Sequence, residues 1–181
     1  EVEIIKSKMV IGEVVDDLKL DIILTPKIVP FFSDQYYQYK GYQYGLKPLV
    51  LEGYVTGGEN VRVTQFDVPN GLLDATFTLV NTGTETYELK LGDSVFLTGR
   101  VGELATKGDV KLFVQAFDAH PNTRYGLTRQ TRLKTINAIT QQLQVSEKGK
   151  SSGILTLAFE SKDAEYAETI LQAVAETYVR K

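Results

Sequence analysis

The chain has 181 residues, of which 43% are hydrophobic and 24% charged, a composition that excludes disorder and collagen-like repeats and suits one packed medium-sized domain. Lys and Arg number 20 against 23 Asp and Glu, so the net charge of −3 lacks the basic excess of a nucleic-acid binder. With no cysteine there are no disulfides, thiolate metal sites or thiol nucleophiles, and no apolar run approaches the roughly 20 residues that span a bilayer.

The pattern opens as a helix. Ile4, Ile5, Met9, Ile11, Val15 and Leu18 recur at spacings of three and four, which predicts one amphipathic helix from the first residues, followed by a strand over 20–24. Phe31 and Phe32 then precede Tyr36, Tyr37, Tyr39, Tyr42 and Tyr44, half of the chain's 10 tyrosines in one short stretch. From Tyr54 to Val114 the text alternates at period two through Val61, Val63, Phe77, Leu79, Tyr87, Leu89, Leu91, Val95, Leu97, Val110 and Leu112. Turn signals fall at Gly57-Gly58-Glu59-Asn60, Pro69-Asn70-Gly71, Asn81-Thr82-Gly83, Gly92-Asp93 and Lys107-Gly108-Asp109, a rhythm of antiparallel sandwiches.

After Thr123 the predicted elements are a strand to 128, a helix over 133–140 and strands over 143–146 and 154–159. A final helix carries Ala167, Ile170, Leu171, Val174 and Tyr178 on one stripe, with Ser161 or Asp163 as its N-cap and Glu165 in its first turn. The fold class is therefore α+β: terminal helices packed on a small mixed sheet built from the 20–24, Val145-region and 154–159 strands, with a central antiparallel, sandwich-like β block. Glu1 in place of a methionine, and a stripe that reaches Arg180 and Lys181 with no C-cap glycine, read as cuts inside a longer parent.

Chemistry-bearing constellations are sparse. Gly57-Gly58 and Gly99-Arg100-Val101-Gly102 lack the lysine and following helix of a phosphate-cradling loop and read as turns. His120 is the single histidine, so a His-pair metal site is impossible; Asp118 lies two residues away but no nucleophile elbow accompanies them. Asp16 and Asp17 are adjacent on a helix and point about 100° apart, which suits a solvated face better than acid–base catalysis. Glu165, Glu168 and Glu176 lie off the apolar stripe. The expectation is no catalytic residue, no metal site and no cofactor.

The tyrosine segment admits two readings from its residues. Flat rings beside Gln35, Gln38 and Gln43 would make a glycan platform, with Tyr37 and Tyr39 on one strand face and Tyr42 and Tyr44 on another; alternatively the rings close the end of a sandwich or form a subunit contact.

Glu3-Ile4-Ile5-Lys6-Ser7-Lys8-Met9-Val10, running through Val14-Val15 and Leu18 to Leu20-Asp21, resembles the opening of the extracytoplasmic segment of Wzc-type tyrosine autokinases, the polysaccharide co-polymerases. Val145, Glu147-Lys148-Gly149-Lys150, Gly153-Ile154-Leu155-Thr156-Leu157, Asp163, Ile170-Leu171 and Tyr178 are similar to that family's closing strand-turn-strand-helix. The resemblance implies that residues 1–181 form a single periplasmic Wzz-like domain of an inner-membrane protein, with a β-rich insertion at about 28–120.

It further implies a parent that self-associates into a ring and controls assembly, chain length and export of capsular polysaccharide or exopolysaccharide. The partners implied are the export or polymerisation machinery and the polysaccharide itself, with no nucleic acid. The kinase domain, and with it every catalytic residue of the family, would lie outside this chain. A phosphorylated tyrosine cluster belongs to the cytoplasmic end of such a parent, so the tyrosines near residue 40 are a different feature. The competing reading is a stand-alone β-rich carbohydrate-binding module whose ends are similar in architecture only.

Overall fold

The computed structural model describes residues 2–28, 53–55, 58–149 and 153–181. The chain divides into two compact units, one of residues 1–21 and 131–181 and the other running from Ile22 to Gln130.

In the first unit the opening segment forms two helices, α1 (Val2–Ile5) and α2 (Lys8–Leu18), where the spacing predicts one. Ser7 adopts extended backbone and its Oγ accepts from the Val10 N–H at 3.3 Å, so the helix restarts with its own N-cap. The restart resets the phase of the stripe. Val10, Ile11, Val14 and Val15 are buried, whereas Ile4 and Met9, which the continuous pattern places on the core face, are 50% and 57% exposed. Lys19 closes α2 in the left-handed region (φ 54°), and its N–H returns to the Val15 carbonyl.

The rest of this unit is α3 (Arg132–Gln142), β9 (Leu143–Glu147), β10 (Leu155–Phe159) and α4 (Ala164–Arg180). Asp163 caps α4, accepting from the Glu165 and Tyr166 N–H groups, and Ser161 Oγ accepts from Asp163 N–H. Ile5, Val10, Ile11, Val14 and Val15 share one core with Ile136, Ile139, Leu143, Ile170 and Val174. The terminal helices therefore do bury their stripes together.

The sheet beside them differs from the expectation. Among the described residues it consists of β9 and β10, antiparallel rather than mixed, with Leu155 opposite Glu147 and Phe159 opposite Leu143. The strand predicted at 20–24 is β1 (Ile22–Pro26), and it pairs in the second unit with β8 (Arg124–Arg129). Leu20 packs with the helices, while Ile22 and Leu24 pack into the β core. An uninterrupted alternation of Leu20, Ile22 and Leu24 thus crosses from one core to the next, which a period-two pattern does not record.

The second unit is a sandwich of a five-stranded and a three-stranded sheet. The first has the order β1, β8, β3 (Thr76–Gly83), β4 (Thr86–Leu91), β5 (Ser94–Arg100); the second has β2 (Asn60–Asp67), β7 (Val110–Asp118), β6 (Leu104–Lys107). Every pairing between them is antiparallel. Phe66, Phe77, Leu79, Tyr87, Leu89, Leu112, Val114 and Leu127 fill one core, with Phe66 edge-on to Phe77 at 5.4 Å across the two sheets. Arg129 ties the layers, donating to the Phe66 carbonyl at 3.0 Å. Lys107 donates to the Phe96 carbonyl of edge strand β5 at 2.7 Å and lies over the Phe96 ring, blocking one acceptor on that edge.

Gly92-Asp93 and Gly108-Asp109 turn the chain as expected, with both glycines at positive φ. Asn81-Thr82-Gly83 does not. β3 continues to Gly83, and the turn falls at Thr84 and Glu85, with Glu85 at φ 63°. Asn81 is buried and spends its amide elsewhere: Nδ2 donates to the Ala119 carbonyl at 2.7 Å and Oδ1 accepts from Gly83 N–H at 3.0 Å.

Candidate functional site

The candidate glycan contacts Tyr37, Tyr39, Tyr42 and Tyr44, with Tyr36, Phe31 and Phe32, lie outside the described residues. Gly57 does as well.

The other residues singled out by type fall in structural roles. His120 is exposed on the loop that Asn81 clamps, and its carbonyl accepts from the Thr123 hydroxyl. Asp118 ends β7 opposite Asn60. Asp16 receives both arms of the Arg132 guanidinium at 2.8 Å each, while Asp17 lies 3.8 Å from Arg180, so the neighbouring carboxylates serve different partners. Glu176 accepts from Gln172 one turn earlier, and Glu165 and Glu168 are exposed. Among the described residues no group of three or more His, Asp or Glu converges as a metal site.

An open groove of about 430 Å³ lies where β4 and β5 meet the start of β6. Strand register builds it: Thr86 faces Arg100 and Glu88 faces Thr98, side by side on the strand face opposite the buried Tyr87 and Leu89. Thr82, Glu103, Leu104 and Ala105 complete the lining. The Thr82 and Thr86 hydroxyls bond each other at 3.0 Å, and Glu88 lies 3.3 Å from Lys90. Thr98, Arg100 and Glu103 are exposed, and none of the three has a side-chain bond to another described residue.

Tyr87 forms the groove's inner wall. Its ring is 1% exposed and its hydroxyl has no hydrogen-bond partner among the described residues. Burial pushes the phenol up to about 12, with the nearby Glu103 charge acting in the same direction. The ring fits because its register partner is Gly99, where a Cβ would stand 2.4 Å from Cζ and Oη. The sequence does carry a signal for this arrangement, since an isolated glycine inside an alternating run marks close approach by another group. Reading Gly99-Arg100-Val101-Gly102 wholly as a turn obscures that signal: Gly99 and Arg100 belong to β5, and the turn starts at Val101.

The described residues make an α+β chain whose larger unit is an antiparallel sandwich. Comparison with known proteins gives the family: residues 22–130, the β sandwich, match the model described as "Tyrosine-protein kinase Wzc, N-terminal domain", and the chain belongs to that family. Over all 181 residues it is 30% identical to the tyrosine-protein kinase wzc of Salmonella typhimurium, covering 100% of this chain and 23% of that protein. It is 34% identical over 185 aligned positions to the putative tyrosine-protein kinase EpsB of Ralstonia nicotianae, covering 24% of it, and 28% identical over 184 to the tyrosine-protein kinase etk of Escherichia coli K12, covering 23%. The chain thus spans about a quarter of the length of these relatives, and the kinase catalytic domain is not in it. No helix among the described residues is long and apolar enough to cross a membrane.

Proposed function

We infer that this chain is the non-catalytic, periplasmic Wzz-like region of an inner-membrane polysaccharide co-polymerase and tyrosine autokinase. In this reading residues 1–181 work as one domain with a β-rich insertion at about 28–120. It self-associates in the membrane-bound parent as a ring, contacts the export or polymerisation machinery, and controls assembly, chain length and export of capsular polysaccharide or exopolysaccharide. It requires no cofactor and no nucleic acid, consistent with a net charge of −3.

The observation that carries the reading is the extent of the matches. Kinases named Wzc, EpsB and Etk align across both compact units rather than at the ends alone, which favours it over a stand-alone carbohydrate-binding module. The tyrosine segment, Tyr37, Tyr39, Tyr42 and Tyr44, remains the proposed point of polymer contact on chemical grounds, because ring faces stack on sugar C–H faces.

The test is made in the full-length parent. Residues 22–130 are replaced by a short Gly-Ser linker, and both autophosphorylation and the length distribution of exported polymer are recorded. Altered polymer length with retained autophosphorylation is expected. An unchanged polymer profile would overturn the reading.

A further inference from the structure

We propose that the groove between β4, β5 and the start of β6 binds an uncharged stretch of oligosaccharide, with Thr98, Arg100 and Glu103 bonding its hydroxyls. The inference rests on the reading of the parent as a polysaccharide-handling protein, but it names a site apart from the tyrosine segment.

The lining decides the ligand class. Sugar hydroxyls are both donors and acceptors, and vicinal pairs suit a mixed set of groups: a guanidinium offers five donors in a fork, a carboxylate accepts only, and a threonine hydroxyl does both. Arg100, Glu103 and Thr98 supply one of each, exposed and without side-chain bonds to other described residues. Register holds Thr86 beside Arg100 and Glu88 beside Thr98, rungs of about 4.5–5.5 Å between Cβ atoms, within the span of one sugar ring. Leu104, 50% exposed, and Ala105 add an apolar margin for a ring's C–H face.

Other ligands fit less well. Glu88 is paired with Lys90 and Glu103 stands against the single Arg100 guanidinium, so the groove offers no net positive charge to a phosphate or a polyanion. An amphipathic peptide helix needs a continuous apolar trough, and Leu104 and Ala105 alone do not make one. Thr98 and Arg100 sit on strand β5, with the Tyr87 ring packed behind Gly99, so their geometry is set before a ligand arrives, and Glu103 lies on the turn that follows.

The experiment is an NMR titration of the isotope-labelled 181-residue chain. The probe is an oligosaccharide mixture released by partial hydrolysis from the exopolysaccharide of the bacterium that carries the gene, with inorganic phosphate run in parallel. Saturable shifts of the Gly99, Arg100, Gly102 and Glu103 amides at millimolar sugar are expected. Thr98→Val and Arg100→Ala should each weaken them by about fivefold or more, as befits a lost hydrogen bond. Both side chains are exposed, so an unchanged spectrum away from the groove verifies folding of the variants.

Groove amides that stay still while tyrosine-segment signals move would overturn this site and leave the tyrosine contact standing. Silence at both would overturn both. Shifts unaltered in the two variants, or reproduced by phosphate, would overturn the assignment of an uncharged glycan. Tyr42→Ala is the separating control: it should leave the groove shifts as they are.

Discussion

Replacing Gly99 by Ala tests how the sandwich corner is packed. Gly99 has no positive φ, so steric overlap rather than backbone strain sets the cost. The added Cβ would stand 2.4 Å from Cζ and Oη of Tyr87 and 2.8 Å from Cε2. Comfortable carbon contacts begin near about 3.5 Å, so the ring must retreat by about 1 Å. Tyr87 is 1% exposed and packed in the sandwich core, so the ring can retreat only by displacing its neighbours. Overpacking a core typically costs about 1–3 kcal/mol, and the buried ring places this case near about 3 kcal/mol.

The partner substitution isolates the cause. Tyr87→Phe removes a hydroxyl that is buried with no hydrogen-bond partner among the described residues, so it should be neutral or stabilising by up to about 1 kcal/mol, against the usual trend for core truncations. In the Gly99→Ala background it should relieve part of the clash and leave the Cζ overlap, a coupling of at least about 0.5 kcal/mol. The phenol's raised value adds a pH signature. Its folded-state value of about 12 lies above the ordinary 10.0, so the stabilisation is complete below about 10 and is lost as pH rises towards about 12; Tyr87→Phe should lack this alkaline loss. Urea unfolding read by tyrosine near-UV circular dichroism, with amide exchange at Leu89 and Leu97, supplies the measurement. A Gly99→Ala protein within about 0.5 kcal/mol of wild type would refute the packing argument.

Three further outcomes follow from particular contacts. Gly12→Ala should leave the urea midpoint close to that of wild type: its Cβ meets the far end of Arg132 at 2.5 Å, a flexible and exposed group that can move aside, and loosening its solvent-screened ion pair to Asp16 is offset by alanine's helix preference of about 1 kcal/mol. Asn81→Ala should cost about 2–4 kcal/mol and release protection of the Asn122 and Thr123 amides in hydrogen exchange, because the Ala119 carbonyl and Gly83 N–H lose their partner. Glu13, held below its ordinary value of 4.5 by the hydrogen bond from Lys181 and the charges of Lys181 and Arg180, stabilises at pH above that value. That contribution should fade as pH drops below about 4.5, and Glu13→Gln should remove this acid-side slope from a thermal melt series.

What the sequence conveys here depends on how local the determining interaction is. Strands β3, β4 and β7 follow from side chains that alternate between a shared core and water, and Gly92-Asp93 and Gly108-Asp109 set turns within two residues, whereas β6, with no buried side chain, leaves no alternation to read. The Asp163 cap is equally local. Errors arise where a distant partner decides. Asn81 has turn chemistry, but its amide is claimed by Ala119, 38 residues away, so the strand continues through it. The helix phase at Met9 depends on one hydroxyl, Ser7 Oγ, choosing Val10. Arg132 and Asp16 join across 116 residues, and the groove assembles from three strands whose polar positions look like any solvent-facing alternation. Composition found the tyrosine cluster at once, and those residues lie outside the described part of the structure.

The unit running from Ile22 to Gln130 should fold when expressed alone. It is entered at β1 and left at β8, and these strands are antiparallel neighbours with Ile22 opposite Arg129. Entry and exit are therefore about 5 Å apart between Cα atoms, the geometry of an inserted domain whose host chain need only be rejoined across one strand spacing. Its core takes its buried residues from Val55, β2 to β5, β7 and β8, with Ile22 and Leu24 of β1 packed against them, and shares none with the helical core of Ile5 to Val174. At 109 residues by the matched range 22–130, it exceeds the size at which a single core suffices without disulfides or metals, and the chain has no cysteine. The prediction is a dispersed NMR spectrum for 22–130 whose core amides, Leu79, Leu89, Leu112 and Leu127, superimpose on those of the 181-residue chain, and one cooperative urea transition. The complementary protein, with a short linker from Asp21 to Thr131, should keep the protection of Val14, Ile139 and Ile170. Collapse of either piece to an unfolded spectrum would show that the separate cores are not separately sufficient, and would remove the structural basis for exchanging residues 22–130 in the parent.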